Sequence, residues 1–376
     1  MRTARTPATR PDPLTRCVGD PDLFSAEVWG RRPQVHRGGD VLADVLTLAD
    51  VDAILASATR RPEVRVMRDG APVDPASWSG SVRLGGRWLD DVVDAGALGR
   101  QLRDGATVVL QSLHRTVPSV GRFAAALEAQ VSHPVQVNAY LTPPGSAGLA
   151  AHADDHDVIA VQLHGSKRWW VDGLGDLELA AGDSLYVPAG TRHSAETARR
   201  SSLHLTVGII RVTYRHALQR LLAGEAALEA PLPLGYAARS DGALEQGLAD
   251  ALQDAAKALV DADPAEAARN ERRRRRPRVR HDGHVSSLVA LDDLGPDTVV
   301  VLRDGWPPEL ADAADGRVRL DLGDRVLHLP RGARAALELV LAGAPVRVDD
   351  LPELTPASRL VVARRLVAEG LLRIRR

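Results

Sequence analysis

Cysteine is almost missing from this sequence. The single Cys17 excludes an internal disulfide and is compatible with a reducing compartment. Aromatic residues make up only 3% of the 376 positions, and Ala, Arg, Asp, Leu and Val dominate, a composition of the kind found in high-GC bacterial genomes. No apolar run approaches the roughly 18 residues that would argue for a transmembrane helix. The opening Met1-Arg2-Thr3-Ala4-Arg5-Thr6-Pro7 lacks the apolar stretch of a signal peptide, so a cytoplasmic location is expected. Charge of either sign is not in excess. Forty-eight basic and 49 acidic residues leave a net charge of −1, which by itself predicts neither a nucleic-acid nor a membrane partner. Hydrophobic residues, at 44%, are ample for a core, and the length suggests two or three domains.

What is present is concentrated between Asn138 and His204. His152-Ala153-Asp154 is followed, further along, by His193 in Gly190-Thr191-Arg192-His193. Two histidines and one carboxylate form the facial ligand set of non-haem iron(II) oxygenases, which leaves open coordination positions. In a strand, residues i and i+2 share a face, so His152 and Asp154 are expected to converge on one metal. The intervening chain reads as returning strands. Val158 to Leu163 is a largely apolar run, His164-Gly165-Ser166 a turn, and Lys167 to Val171 a strand. Asp172 to Asp176 turns again, Ser184 to Val187 is a short strand, and Ser202 to Val207 alternates. Many short strands with regular turns predict an α+β protein built on a jelly roll or cupin barrel with flanking helices.

Four motifs occur in order: Asn138-Ala139-Tyr140-Leu141-Thr142-Pro143-Pro144-Gly145, His152-Ala153-Asp154-Asp155-His156-Asp157, Gln162-Leu163-His164-Gly165-Ser166-Lys167-Arg168-Trp169, and Gly182-Asp183-Ser184-Leu185-Tyr186-Val187-Pro188-Ala189-Gly190-Thr191-Arg192-His193. This series resembles the JmjC-type 2-oxoglutarate oxygenases, in particular their ribosomal oxygenase subgroup. The resemblance implies a double-stranded β-helix with His152, Asp154 and His193 holding Fe(II). Lys167, 13 residues after Asp154, stands where the family places the cation for the distal carboxylate of 2-oxoglutarate. Tyr140, Asn138 and Ser202 fall where members line the cosubstrate pocket. The implied reaction takes 2-oxoglutarate and O2 to succinate and CO2 and hydroxylates a protein side chain. The best single target is arginine or histidine of a ribosomal protein. The segment between Val171 and Leu177 is shorter than in the larger members, which bears on substrate contacts and not on the metal.

Other polar residues are read more plainly. His156 and Asp157 are expected to support the site and not to ligate. His204 is expected in the core or pocket wall and not as a fourth ligand, and His164 in solvent. Trp169 and Trp170 must face opposite sides of their strand.

Along the chain, residues 1–12 are expected to be disordered, and 13–210 to form the oxygenase domain. Leu23 to Pro33 reads as a short helix. Thr47 caps a second helix bearing Leu48, Val51 and Leu55, with Asp50 as the reciprocal partner. Val64 to Arg68 and Thr107 to Leu113 read as strands and Val120 to Val131 as a helix. Residues 211–270 are helical, from Tyr214 to Ala227 and along the stripe Leu244, Leu248, Leu252 and Leu259. By resemblance this block is a dimerisation region, which implies a homodimer. Arg272 to Arg276 anchors an Arg-rich linker at 271–284, a run very unlikely to be buried. Residues 285–376 have the helix, short helix, helix, strand order of a winged helix. Such a unit suggests DNA binding only by analogy of fold. The arginine run and Arg364, Arg365, Arg373, Arg375 and Arg376 leave contact with RNA or an acidic protein open without predicting it.

Two further readings stand beside protein hydroxylation. One is an oxygenase tailoring a peptide or free amino acid. The other, from a different class, is a non-catalytic cupin sensor coupled to a winged-helix regulator, against which the intact triad and Lys167 argue. N-methyl demethylation would use the same chemistry and is not separable by sequence.

Overall fold

A computed structural model describes residues 11–375, apart from 58, 147–149, 198–199, 239–241, 276–283 and 304–307. The disorder expected for 1–12 falls mostly outside the described residues. Asp12, at its end, caps the helix Pro13–Val18 by accepting from the Thr15 N–H. The chain divides into two compact units, residues 1–210 with 277–376, and residues 211–276.

Thirteen strands build the first part of the larger unit: β1 (Gln34–His36), β2 (Val64–Arg68), β3 (Ala71–Pro72), β4 (Ser79–Leu84), β5 (Arg87–Val93), β6 (Thr107–Leu110), β7 (Val135–Thr142), β8 (Asp157–His164), β9 (Ser166–Val171), β10 (Gly175–Ala180), β11 (Ser184–Val187), β12 (His193–Glu196) and β13 (Ser202–Ile209). Eight form one sheet in the order β1-β11-β8-β13-β7-β6-β2-β3. A smaller sheet runs β10-β9-β12, and β4 pairs with β5 as a hairpin. Every pairing is antiparallel.

The apolar run of β8 explains how the two sheets close. Val158 and Ala160 pack with Leu185 and Val187 of β11 and with Trp169, Val171 and Leu179 of the small sheet. Ile159, Val161 and Leu163 point the other way, into a core shared with helices. A strand buried on both faces needs no polar alternation. Two of the helices packed on that core are those the apolar spacing predicted. Leu48–Ala56 buries Val51 and Leu55 behind a capping box, in which Thr47 Oγ1 accepts from Asp50 N–H at 3.2 Å and the Asp50 carboxylate accepts from Thr47 N–H at 2.8 Å. Pro118–Val131 buries Phe123 and Leu127. The segment after Leu23 departs from a regular helix. Phe24–Val28 is a π-turn whose wider coil lets Phe24 and Trp29 both reach Tyr186, with ring centroids 4.8 and 6.0 Å away.

Three expectations need correction. His152-Ala153-Asp154 is not a strand: His152 makes one isolated bridge and the next residues are coil. The helix from Tyr214 ends at Leu222, short of Ala227. Pro264–Arg274 is a helix that takes in the first three arginines of the run, so the linker does not begin at 271.

In the smaller unit the helix Ala243–Asp261 has no buried residue, and Leu248, Leu252, Leu259 and Val260 are exposed. Residues 284–375 have a core of their own. It gathers β14 (Val299–Leu302), β15 (Glu309–Asp312), β16 (Val318–Asp321), β17 (Val326–Leu329), β18 (Val346–Arg347) and β19 (Leu372–Ile374) in two three-stranded sheets. The helix Arg334–Leu341, a single 3-10 turn at Val348–Asp350, the helix Pro356–Ala368 and β19 follow in the expected order. Thr355 Oγ1 caps the second helix by accepting from Ser358 N–H.

Candidate metal centre and adjoining cavity

His193 opens β12, opposite Val171 of β9. On its other side it meets His152 in an isolated antiparallel bridge. Asp154 lies in the coil that follows, and its carbonyl accepts from Gly190 N–H at 2.8 Å. Gly190 has φ +82°, the left-handed conformation that turns the chain between Pro188 and His193. A bridge and one loop contact thus replace the strand the sequence suggested.

The three side chains converge. Asp154 Oδ1 lies 3.7 Å from His152 Nε2, and Asp154 Oδ2 lies 3.5 Å from His193 Nε2. One ligand atom from each residue falls within 4.8 Å of the others. Both histidines are held in the same tautomer. Nδ1 of His152 is 2.8 Å from the Ala150 carbonyl, and Nδ1 of His193 is 3.0 Å from the Thr191 carbonyl. A carbonyl can only accept, so each Nδ1 carries a proton and each Nε2 is the atom turned towards Asp154. Burial lowers the pKa of His193, which favours the neutral, metal-binding imidazole.

Next to the triad lies a cavity of about 300 Å³. Strand β9 alternates, with Lys167, Trp169 and Val171 buried and Arg168 and Trp170 exposed. Lys167 is 2% exposed, and its Nζ donates to Thr142 Oγ1 at 3.1 Å, which also accepts from Thr107 Oγ1 at 3.2 Å. With no carboxylate beside it, burial pushes the Lys167 pKa down to about 7. His204 stacks on Tyr140, ring centroids 4.9 Å apart, and meets Trp169 edge-on at 5.5 Å. Burial, and then the Lys167 charge, hold His204 neutral. Among the described residues, His204 Nδ1 and Trp169 Nε1 are buried without a hydrogen-bond partner.

Asn138, Tyr140 and Lys167 line the cavity together with the triad. Asn138 also accepts from Ser112 N–H through Oδ1 at 2.9 Å. Ser202 does not reach it. Its fully buried Oγ accepts from Gln162 Nε2 at 2.8 Å, and the pairing of β13 with β8 shifts register between Leu203 and His204. His204 was expected in the wall and is there, as is His156, while Asp157 Oδ1 accepts from Ala189 N–H at 2.9 Å. Sequence reasoning missed Thr142, Thr107, Arg65 and Thr206. Thr142 was within reach, because it shares strand parity with Asn138 and Tyr140. Arg65 and Thr107 were not, because β2 and β6 join the wall only through the long-range order of the sheet.

A family model described as the JmjC domain matches residues 110–176 and 171–217. The chain carries a JmjC domain. That domain contains every residue of the triad and all four positions assigned to the cosubstrate.

Ribosomal oxygenase 1 of Gallus gallus is 30% identical over 299 residues, covering 67% of this chain and 48% of the relative. Ribosomal oxygenase 2 of Rattus norvegicus is 36% identical over 124 residues, covering 27% of each. A protein of Branchiostoma floridae named bifunctional lysine-specific demethylase and histidyl-hydroxylase NO66 is 35% identical over 124 residues, covering 32% of this chain and 20% of the relative. The chain therefore spans about half the length of the first relative and less of the others. Among solved structures, the Escherichia coli ribosomal oxygenase YcfD with cobalt and succinic acid aligns at a TM-score of 0.52 and 16% identity, over 95% of this chain and 98% of that one. YcfD with cobalt and 2-oxoglutarate aligns at 0.50. These structures share the fold around the JmjC domain. Among the described residues no helix is long and apolar enough to cross a membrane.

Proposed function

We propose that this protein is an Fe(II)- and 2-oxoglutarate-dependent oxygenase that hydroxylates a protein side chain, with arginine or histidine of a ribosomal protein as the foremost target. The observation that carries the reading is the pairing of a two-histidine, one-carboxylate cluster with a buried, carboxylate-free lysine in one cavity. The donor set suits iron(II). A six-coordinate ion with bonds near 2.1 Å places neighbouring ligand atoms about 3 Å apart. The 3.5 and 3.7 Å separations fit that need after a small inward movement.

His152, Asp154 and His193 would hold the metal, with the Ala150 and Thr191 carbonyls fixing the rings. Lys167, with Thr142 beside it, would hold the distal carboxylate of the cosubstrate, and Tyr140, Asn138 and His204 would enclose its body. A cation out of water binds a carboxylate far more strongly than an exposed one does. Bound iron(II) and 2-oxoglutarate together supply O2 reduction with loss of CO2, one oxygen atom entering succinate and the other a substrate C–H bond. The residues that line the cavity would shape what enters beside the triad.

We read the helical unit as the dimerisation region, since its exposed Leu248, Leu252 and Leu259 need a cover. Residues 285–376 are read as winged-helix-like and the protein as cytoplasmic. The test is anaerobic Fe(II) loading, then O2 and 2-oxoglutarate, with and without ribosomes from the same source. Succinate formation stimulated by ribosomes, with a ribosomal protein gaining one oxygen mass, supports the reading. Iron binding with no succinate under any condition refutes it.

A further inference from the structure

The outer face of the small sheet bears a second depression, about 890 Å³, that the proposed chemistry does not use. Its floor is set by register. Asp176, Trp170 and Ser194 lie side by side across β10, β9 and β12, and Glu178, Arg168 and Glu196 form the next row on the same face. Asp69, at the β2–β3 turn, closes one side. Four carboxylates thus line the depression with one guanidinium, Arg168, already paired with Glu196, while Arg37, outside the lining, donates to the Glu178 carbonyl and pairs with Asp183. Among the described residues no cation pairs with Asp69, Asp176 or Glu178.

Trp170 sits among these carboxylates with 39% of its surface exposed. Among the described tryptophans only Trp88 and Trp170 are left open in this way. An indole face flanked by unpaired carboxylates is a cation receptor, because ring quadrupole and charge act in the same sense. The depression also adjoins the metal centre. Ala150 and Ala151 in its wall directly precede His152, Ser194 and Ala195 directly follow His193, and Trp169 and Ala195 border both spaces.

We infer that this groove docks a basic stretch of the polypeptide substrate, with Trp170, Asp176 and Glu178 holding an arginine or lysine side chain while a neighbouring residue enters the metal cavity. The inference rests on the reading of this protein as a polypeptide oxygenase. It adds to it a charge requirement next to the target residue and a site that enforces the requirement. Charge complementarity commits the occupant to a cationic peptide, and nucleic acid, being polyanionic, is excluded from this face.

The test uses the full chain and a fluorescent Gly-Ser peptide carrying three arginines, followed by anisotropy without added metal. The peptide is expected to bind, and to weaken as salt is raised. Trp170→Ala should weaken it roughly three- to tenfold, and Trp170→Phe should restore most of the loss. Asp176→Asn with Glu178→Gln, both at exposed positions, should weaken it about tenfold or more. Equal binding of a peptide with glutamates in place of the arginines, no binding to the wild type, or unchanged binding to both variants would overturn the inference. Succinate formation by the same preparation reports separately on the enzyme. A chain that makes no succinate yet binds the arginine peptide through Trp170 would refute the oxygenase and leave the groove standing.

Discussion

The backbones of His152 and His193 hydrogen-bond to each other in both directions. His152 N–H donates to the His193 carbonyl at 3.1 Å, and His193 N–H donates to the His152 carbonyl at 2.9 Å. This pairing of the two main chains brings the rings to 4.6 Å between centroids.

A bridge made of backbone alone predicts that metal binding and fold can be uncoupled. His152→Ala or Asp154→Ala should abolish Co(II) binding, read as loss of its visible absorption, and should abolish succinate formation. The melting temperature of the metal-free protein should change little, because both side chains are partly exposed and the bridge uses only backbone. Retained turnover in either variant would sink the triad.

Lys167 predicts a pH signature. Its pKa is about 7 in the fold against 10.5 for the free side chain. Between these values the unfolded chain binds more protons than the folded one. Stability therefore rises with pH across the window, by at most about 1.4 kcal/mol per unit, and the cost is fully present below pH 7. Binding a carboxylate favours the charged form, so 2-oxoglutarate affinity should fall up to tenfold per pH unit above 7. Lys167→Met should flatten both trends and raise the apparent 2-oxoglutarate requirement greatly. Urea melts and calorimetric titrations at pH 7 and 9 would show it.

Thr142 is the hydroxyl on which the lysine rests. Thr142→Val keeps the volume and removes the acceptor, which should weaken 2-oxoglutarate about three- to tenfold while leaving metal affinity unchanged. A shift in metal affinity of the same size would instead mean that the whole cavity had moved.

The hairpin that carries Lys167 depends on Gly165, whose φ is +67° and where a Cβ would lie 1.9 Å from the Ser201 carbonyl oxygen. Gly165→Ala should cost about 2–4 kcal/mol of stability. A melt indistinguishable from wild type would show that the turn between β8 and β9 is not the constraint it looks to be.

The exposed leucines of Ala243–Asp261 predict self-association. Light scattering should give a dimer for the wild type and a monomer for Leu248→Asp with Leu252→Asp. A monomeric wild type would remove the dimer from the reading.

The site was legible from sequence to the extent that short-range pattern controls it. Lys167 was marked by its position alone, and it and Lys257 are the only lysines of the chain. A compact ammonium fits a closed space that a guanidinium fork does not. Strand parity put Trp169 and Trp170 on opposite faces, and the fold decides that Trp169 is the inner one. Resemblance placed Ser202 in the cosubstrate pocket, and the structure does not, since the register shift beside His204 and the claim of Gln162 on its hydroxyl are long-range facts. The triad was found although its supposed strand is mostly coil, because spacing reports which ligands meet and not what backbone brings them together. The β4–β5 hairpin and the helix Ala95–Arg103 were passed over: the hairpin is mostly exposed, and the helix, though amphipathic, fully buries only Ala97 and Leu98.

The two sheets divide the labour unequally. The parts tied to the small sheet hold the reactive groups: His193 and Lys167 on its strands, His152 bridged to its edge, and Asp154 pinned to the loop before β12. The large sheet contributes walls, through Arg65, Asn138, Tyr140, His204 and Thr206. Of these, Asn138, Tyr140 and His204 sit in the cavity with Lys167, so only Arg65 and Thr206 are walls with no part in the proposed cosubstrate site. Those two positions are where the lining can change from one protein of this build to another while the ligand set stays as it is.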